Sequence, residues 1–281
     1  MVQNVLSLHQ TAEGDLTVTF PFSVKDYQRY VFGDDRLAHT FGTDLAKAFI
    51  DRGPGFGAAQ PTTTSSNQSP SDDFAVAVLS DHVPTATHSL RNHFVAYLNR
   101  HLVSINARPA LRIDLHRVGE RSQGRHGPQA NDTYHIDRER LGSKSLIVLA
   151  DLRTSQNDEA RITESLRRLR LDNPIVFLYL ASLEHLANAS ALSPILSFVV
   201  SPSINDVESI AQVERFAMNE CFVQYVLGRE YAQFCSFIRR QDDSFARLLL
   251  DYAICGLFYE NDLYEQNVKF LLWEVAARES M

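Results

Sequence analysis

SLIVLADLRTSQNDEARITESLRRL, Ser145 to Leu169, is the stretch that decides the fold. It opens on a continuous apolar run, SLIVLA, the mark of a strand covered on both faces. A short polar stretch follows. From about Asp158 to Arg170 the apolar residues then recur at helical spacing. A strand that feeds a helix through a tight turn is the repeating unit of a parallel sheet. The same unit recurs upstream: Phe74 to Leu79 (FAVAVL) is a second apolar run. After it, Thr85 to Asn106 places Leu90, Phe94, Leu98 and Leu102 on one helical stripe. Ala110 to Leu115 and Pro174 to Leu180 (PIVFLYL) complete four strands. The expected class is α/β, a parallel sheet with helices packed on it.

On either side of this core the texture changes. Residues 1–73 read as an N-terminal extension. Leu16 to Phe22 (LTVTFPF) suggests a short strand, and Arg36 to Ile50 a helix carrying Leu37, Phe41, Leu45 and Phe49. Gly53 to Asp73 holds three Gly and three Pro among many Ser and Thr, so it is expected to be a mobile loop. Residues 74–204 form the expected α/β core. From 205 to 281 the pattern is helical over Cys221 to Arg240, Phe245 to Tyr259 and Leu263 to Ala277, a region expected to pack on the core.

Composition removes several classes of function. Of 281 residues, 44% are hydrophobic and 22% charged, which suits a folded globular chain. The net charge of −7 argues against a non-specific nucleic-acid or anionic-membrane binder, which leans basic. No apolar run approaches the ~20 residues that cross a bilayer, and Met1 to His9 lacks a basic leader, so a cytoplasmic protein is expected. The three cysteines, Cys221, Cys235 and Cys255, have no C-x-x-C spacing and read as small buried hydrophobes. His82, His88 and His93 lie close together without the H-x-x-x-H spacing of a zinc helix.

In an open α/β sheet, ligands bind beyond the carboxyl ends of the strands. Two turns therefore matter: Ser80 to Thr87 after FAVAVL, and Asp151 to Glu159 after SLIVLA. Both set hydroxyls and free backbone N–H groups at a helix start. That arrangement suits a phosphate; equally, Thr85, Ser155 or Asn157 cap their helices.

The stretch YHIDRERLGSKSLIVLADLRTSQNDEARITESLRRL, Tyr134 to Leu169, resembles the signature region of type I phosphoribosyltransferases. VLSDHVPTATHSLRNHF, Val78 to Phe94, resembles the turn after the first sheet strand in a bacterial subgroup encoded beside tellurite- and stress-resistance genes. The resemblance extends from about Asp73 to the C-terminus. It implies a protein that binds 5-phosphoribosyl-1-pyrophosphate with Mg²⁺ and transfers the phosphoribosyl group to a nitrogen base. On that reading Asp151 is the acid that holds the ribose or metal, with Glu159 beside it. Arg153, Thr154, Ser155, Gln156, Asn157 and Asp158 cradle the 5-phosphate. Ser80, Asp81, Thr85 and Thr87 face the pyrophosphate, and a basic loop with Arg117, Arg121, Arg125 and His126 closes over it.

The pattern also departs from that family. Ala150 stands at the first of two acid positions, Gln156 at the glycine of the phosphate turn, and Ser155 at its threonine. Two readings follow: a phosphoribosyltransferase-like enzyme, or a catalytically inactive relative that serves as a ligand sensor or interaction subunit. His135 and Asp137 read as a turn entering the sheet, and Arg161, Arg167, Arg168 and Arg170 as a solvated face. Phe222, Tyr225, Tyr231, Phe234 and Phe237 suit core packing or a homodimer face rather than base stacking.

Overall fold

The computed structural model describes residues 3–10, 12–13, 18–19, 22–52, 73–118, 133–153, 157–182 and 199–280. Six strands form the main sheet: β1 (Gln3–Gln10), β4 (Phe74–Ser80), β5 (Leu111–Val118), β6 (Thr133–Ile136), β7 (Ser145–Arg153) and β8 (Ile175–Ser182). Their order is β1-β8-β7-β4-β5-β6, and every pairing is parallel except β5 with β6. A separate two-stranded ribbon pairs β2 (Ala12–Glu13) with β3 (Val18–Thr19). That pairing retains two residues of the expected Leu16 to Phe22 strand; 14–17 and 20–21 lie outside the described residues.

Strand parity explains the unbroken apolar runs. Val76, Val78, Ile147, Leu149, Val176 and Leu178 face one side of the sheet. There they meet α1 (Val24–Val31), α2 (Asp35–Asp51) and α3 (Ala86–Ser104). Ala75, Ala77, Leu146, Val148, Ile175 and Phe177 face the other, against Ile162 and Leu166 of α5 (Asn157–Arg168). With apolar cover on both faces, no position in these strands can alternate to polar.

The first third of the chain is not peripheral. β1 is the edge strand beside β8, in register from Gln3 on Ile175 to Gln10 on Ser182. Tyr27, Tyr30, Leu45 and Phe49 of α1 and α2 lie in the same core cluster as the sheet. The turn between these helices needs Gly33 at φ +104, and Asp34 behind it is buried and holds both Arg29 and Arg36.

The C-terminal third is helical: α6 (Ile204–Ala211), α7 (Glu220–Leu227), α8 (Tyr231–Arg239), α9 (Asp243–Cys255) and α10 (Asp262–Glu279). The expected helix from Cys221 to Arg240 is two helices. Gly228 ends α7 by returning its N–H to Gln224, and Glu230 starts α8 by accepting the N–H groups of Ala232 and Gln233. Likewise the Phe245 to Tyr259 segment gives way after Cys255 to a 3₁₀ turn at Phe258–Glu260, with Leu257 at positive φ. Phe32 and Val83 from the first half are buried in this helical cluster. Two backbone bonds seal the join: the Glu220 N–H donates to the Pro84 carbonyl, and Ala217 to Gly33. No helix among the described residues is long and apolar enough to cross a membrane.

Candidate functional site

The strand order locates the site. The chain leaves β4 outward to β5 and β6, then returns to β7 on β4's other side. Between β4 and β7 the direction of winding reverses, the position at which open α/β sheets generally take their ligands. The two sequence turns, after β4 and after β7, flank this point.

At the β7 side the strand runs three residues past Ala150, to Arg153, so Asp151 and Arg153 belong to the strand rather than the turn. Backbone pairing to β8 accounts for the extension: Ala150 to Arg153 continue the register opposite Tyr179 to Ser182. Ala150 packs toward the α5 face. Asp151 meets α1 on the opposite face: its Oδ2 accepts the Tyr27 hydroxyl at 2.8 Å, and its Oδ1 accepts the Leu152 N–H at 2.8 Å. Glu159 is 4% exposed and takes Arg153 in a two-point ion pair, 2.5 and 3.0 Å. Two residues expected to face a ligand are thus bound to each other. Asn157 opens α5 and is exposed. Thr154, Ser155 and Gln156 lie outside the described residues, as does the side chain of Asp158.

At the β4 side, Arg117 near the end of β5 donates to Asp81 at 2.6 Å, and the Ser80 hydroxyl turns to the Asp81 carbonyl at 3.4 Å. Thr85 caps α3. Its N–H donates to His88 Nδ1 at 3.0 Å, while its hydroxyl lies 2.9 Å from the same nitrogen and 2.6 Å from the Thr87 hydroxyl. The capping reading therefore describes this turn, with His88 in the place usually taken by Glu or Gln. Burial, and then the nearby Arg91, lower the His88 pKa to about 4, so its ring is neutral and able to accept. Behind it Arg91 bonds both Asp114 and the Ile113 carbonyl. Arg121, Arg125 and His126, the rest of the basic loop, lie outside the described residues, as do residues 53–72 of the other expected loop.

Sequence reasoning missed the roof over Asp151. Tyr27 is 6% exposed, and Tyr30, one helical turn on, is buried with no hydrogen-bond partner for its hydroxyl among the described residues. Burial and the Asp151 charge hold both phenols well above the usual tyrosine range, so both remain proton donors. Cys221 of α7 joins them; burial first, then Glu220 and Asp151, push its thiol up to about 12. The one signal was local: Ser23 and Asp26 mark a helix start, and Tyr27 and Tyr30 fall on one face of that helix. The YHID segment, read as a turn, is instead β6, with Asp137 capping the short helix α4 (Arg138–Leu141). A surface groove of about 360 Å³ lies elsewhere, between the C-terminal ends of α2 and α3, lined by Lys47, Tyr97 and Arg100 among others.

A mostly parallel open sheet whose winding reverses beside an acid-bearing strand end defines an open α/β protein of the ligand-binding kind. The chain belongs to the PRTase ComF-like family, whose model matches residues 2–271. No curated protein matches it. Among solved structures it is similar to an HPRT with an asparagine in place of an invariant aspartic acid, at 13% identity. That match covers 53% of this chain and 76% of the other, with a TM-score of 0.30. It is also similar to a variant hypoxanthine phosphoribosyltransferase from Trypanosoma cruzi complexed with the product IMP, at 13% identity, 53% and 74% coverage and a TM-score of 0.29. A second structure of the Trypanosoma cruzi enzyme matches at 12% identity, 61% and 81% coverage and a TM-score of 0.30.

Proposed function

We propose that this chain binds phosphoribosyl pyrophosphate or a related phosphosugar at the carboxyl end of β7, with Asp151 as the acid that receives the sugar hydroxyls. The observation that carries this reading is the position of Asp151. It stands at the winding reversal of the sheet and is bonded only by neutral donors, Tyr27 and the Leu152 N–H, among the described residues. A carboxylate satisfied by neutral hydroxyl and amide donors is chemically suited to exchange one hydroxyl for another.

Mg²⁺ fits this site only together with the ligand. Among the described residues no group of three or more His, Cys, Asp or Glu side chains gathers to hold a metal. Mg²⁺ ordinarily takes one or two carboxylates and completes its shell with phosphate oxygens and water. Asp151 would supply the protein's oxygen, and the metal would supply charge neutralisation at the pyrophosphate.

The second reading, a catalytically inactive relative that acts as a ligand sensor or interaction subunit, is favoured by one feature. Glu159 and Arg153 neutralise each other, as do Asp81 and Arg117, which leaves Asp151 to supply the strand-end charge for a transition state. Loss of one electrostatic contributor costs about 10²–10³ in rate. Calorimetry with phosphoribosyl pyrophosphate, with and without Mg²⁺, tests binding, and pyrophosphate release with a panel of nitrogen bases separates the two readings. Saturable binding that Mg²⁺ strengthens is expected. Absence of binding at millimolar ligand contradicts the proposal.

A further inference from the structure

The side chains around Asp151 do more than cover one side of it. The Tyr27 hydroxyl makes the bond to Oδ2 that a ligand hydroxyl would make, at 2.8 Å and with the same neutral chemistry. Its ring cannot swing aside in place. It is one rung of an aromatic ladder from Phe22 through Tyr27 and Tyr30 to Phe41, with centroids 5.5, 5.8 and 5.6 Å apart. The next rung, Tyr30, is 1% exposed and its hydroxyl has no partner among the described residues. A buried donor without a partner is costly, so the packing of this helix face carries a cost that a rearrangement of α1 would remove.

We infer that Tyr27 is an internal competitor for the acid position: helix α1 closes the site by placing a phenol on Asp151, and ligand is admitted when α1 loosens and withdraws it. This rests on the proposed phosphosugar binding at Asp151, and it adds a regulatory element that lies in the N-terminal third of the chain. The geometry also says what holds the closed state. Arg29 near the end of α1 is tied to the buried Asp34 at 2.7 Å, so the helix stays attached at the α1–α2 turn when it loosens. Release costs the hydroxyl–carboxylate bond, and a hydrogen bond to a charged group is strong enough to lower apparent affinity roughly ten-fold or more.

Tyr27→Phe removes the hydroxyl and keeps the ring in its ladder. The test is calorimetry with phosphoribosyl pyrophosphate and Mg²⁺ on the full-length wild type, Tyr27→Phe, Asp151→Asn and the double variant. Tyr27→Phe is expected to bind roughly ten-fold tighter than wild type, and the gain is expected to vanish when Asp151 is also replaced. Equal affinity of wild type and Tyr27→Phe overturns the competitor role while leaving the binding proposal intact. Weaker binding by Tyr27→Phe overturns it too, because Tyr27 is then a ligand contact. Failure of every form to bind overturns both. Hydrogen exchange on the unaltered chain gives a reading independent of any variant. Amides of Val24–Val31 are expected to exchange faster once ligand is added, and unchanged or slower exchange contradicts release.

Discussion

At the scale of single residues the site is defined by which charges are already matched. Glu159 and Arg153 form a pair 5% and 14% exposed at their side chains. Removing one partner of such a pair takes the nearest opposite charge from a buried ion, which is strongly destabilising. Glu159→Ala is therefore expected to cost about 3–5 kcal/mol in urea unfolding, and Arg153→Met added to it should recover much of that loss. If Glu159→Ala unfolds like wild type, the pair is not the structural tie described here. His88 gives a pH signature of known sign. Its folded pKa, about 4, lies below the ordinary histidine value of 6.5, so between these values the unfolded chain takes up a proton that the folded chain refuses. Stability is full above pH 6.5 and falls as the pH drops towards 4, by on the order of 3 kcal/mol in total. His88→Gln keeps an acceptor for the Thr85 N–H, as in an ordinary capping box, and should flatten that part of the acid limb. An unchanged acid limb assigns it to other groups.

At the scale of elements, tight backbone approaches fix how the helices reach the site. A Cβ on Gly42 of α2 would come within 2.7 Å of the Leu90 carbonyl of α3, and one on Gly33 would meet the Ala217 carbonyl at a backbone φ of +104. Gly42→Ala should lose about 1–3 kcal/mol through overpacking. Gly33→Ala should lose at least as much, since backbone strain adds to the clash. Denaturant midpoints within error of wild type would show that these helices can shift apart freely. The same elements show what sequence makes legible. FAVAVL, SLIVLA and PIVFLYL announce buried strands because cover on both faces permits no polar alternation. The stripe Leu90, Phe94, Leu98, Leu102 announces α3 because one face meets the sheet. β1 escaped notice because NVLSLHQ carries polar residues suited to an edge, and its partner β8 lies some 170 residues away in the chain. The break between α7 and α8 turns on Gly228 and Glu230, a local cap inside a run of otherwise helical spacing. The strand carrying Asp151 was legible from SLIVLA, though it runs on to Arg153. Tyr27 was not, since only tertiary folding brings α1 over β7.

At the scale of the whole molecule, the C-terminal helices hold the turn after β4 in place. Val83 in the turn after β4 is 2% exposed because it sits in the helical cluster, together with Phe32 from the α1–α2 turn. Cys221 reaches the Asp151 neighbourhood from α7. A chain cut after Ser203 would expose Phe32 and Val83 and leave the Pro84 carbonyl and the Gly33 carbonyl without their partners. Such a fragment is expected to lose cooperative thermal unfolding by circular dichroism. A fragment that melts sharply would show the α/β part to be self-sufficient.

On the proposed mechanism, ligand and Tyr27 compete for one carboxylate at the end of β7. A crystal structure of the full-length chain grown with phosphoribosyl pyrophosphate and Mg²⁺ tests it most directly. The predicted result is a pentose hydroxyl within hydrogen-bonding distance of Asp151, and the Tyr27 hydroxyl withdrawn from it. Ligand bound elsewhere, such as the groove between α2 and α3, with the Tyr27–Asp151 bond still at 2.8 Å, would contradict it.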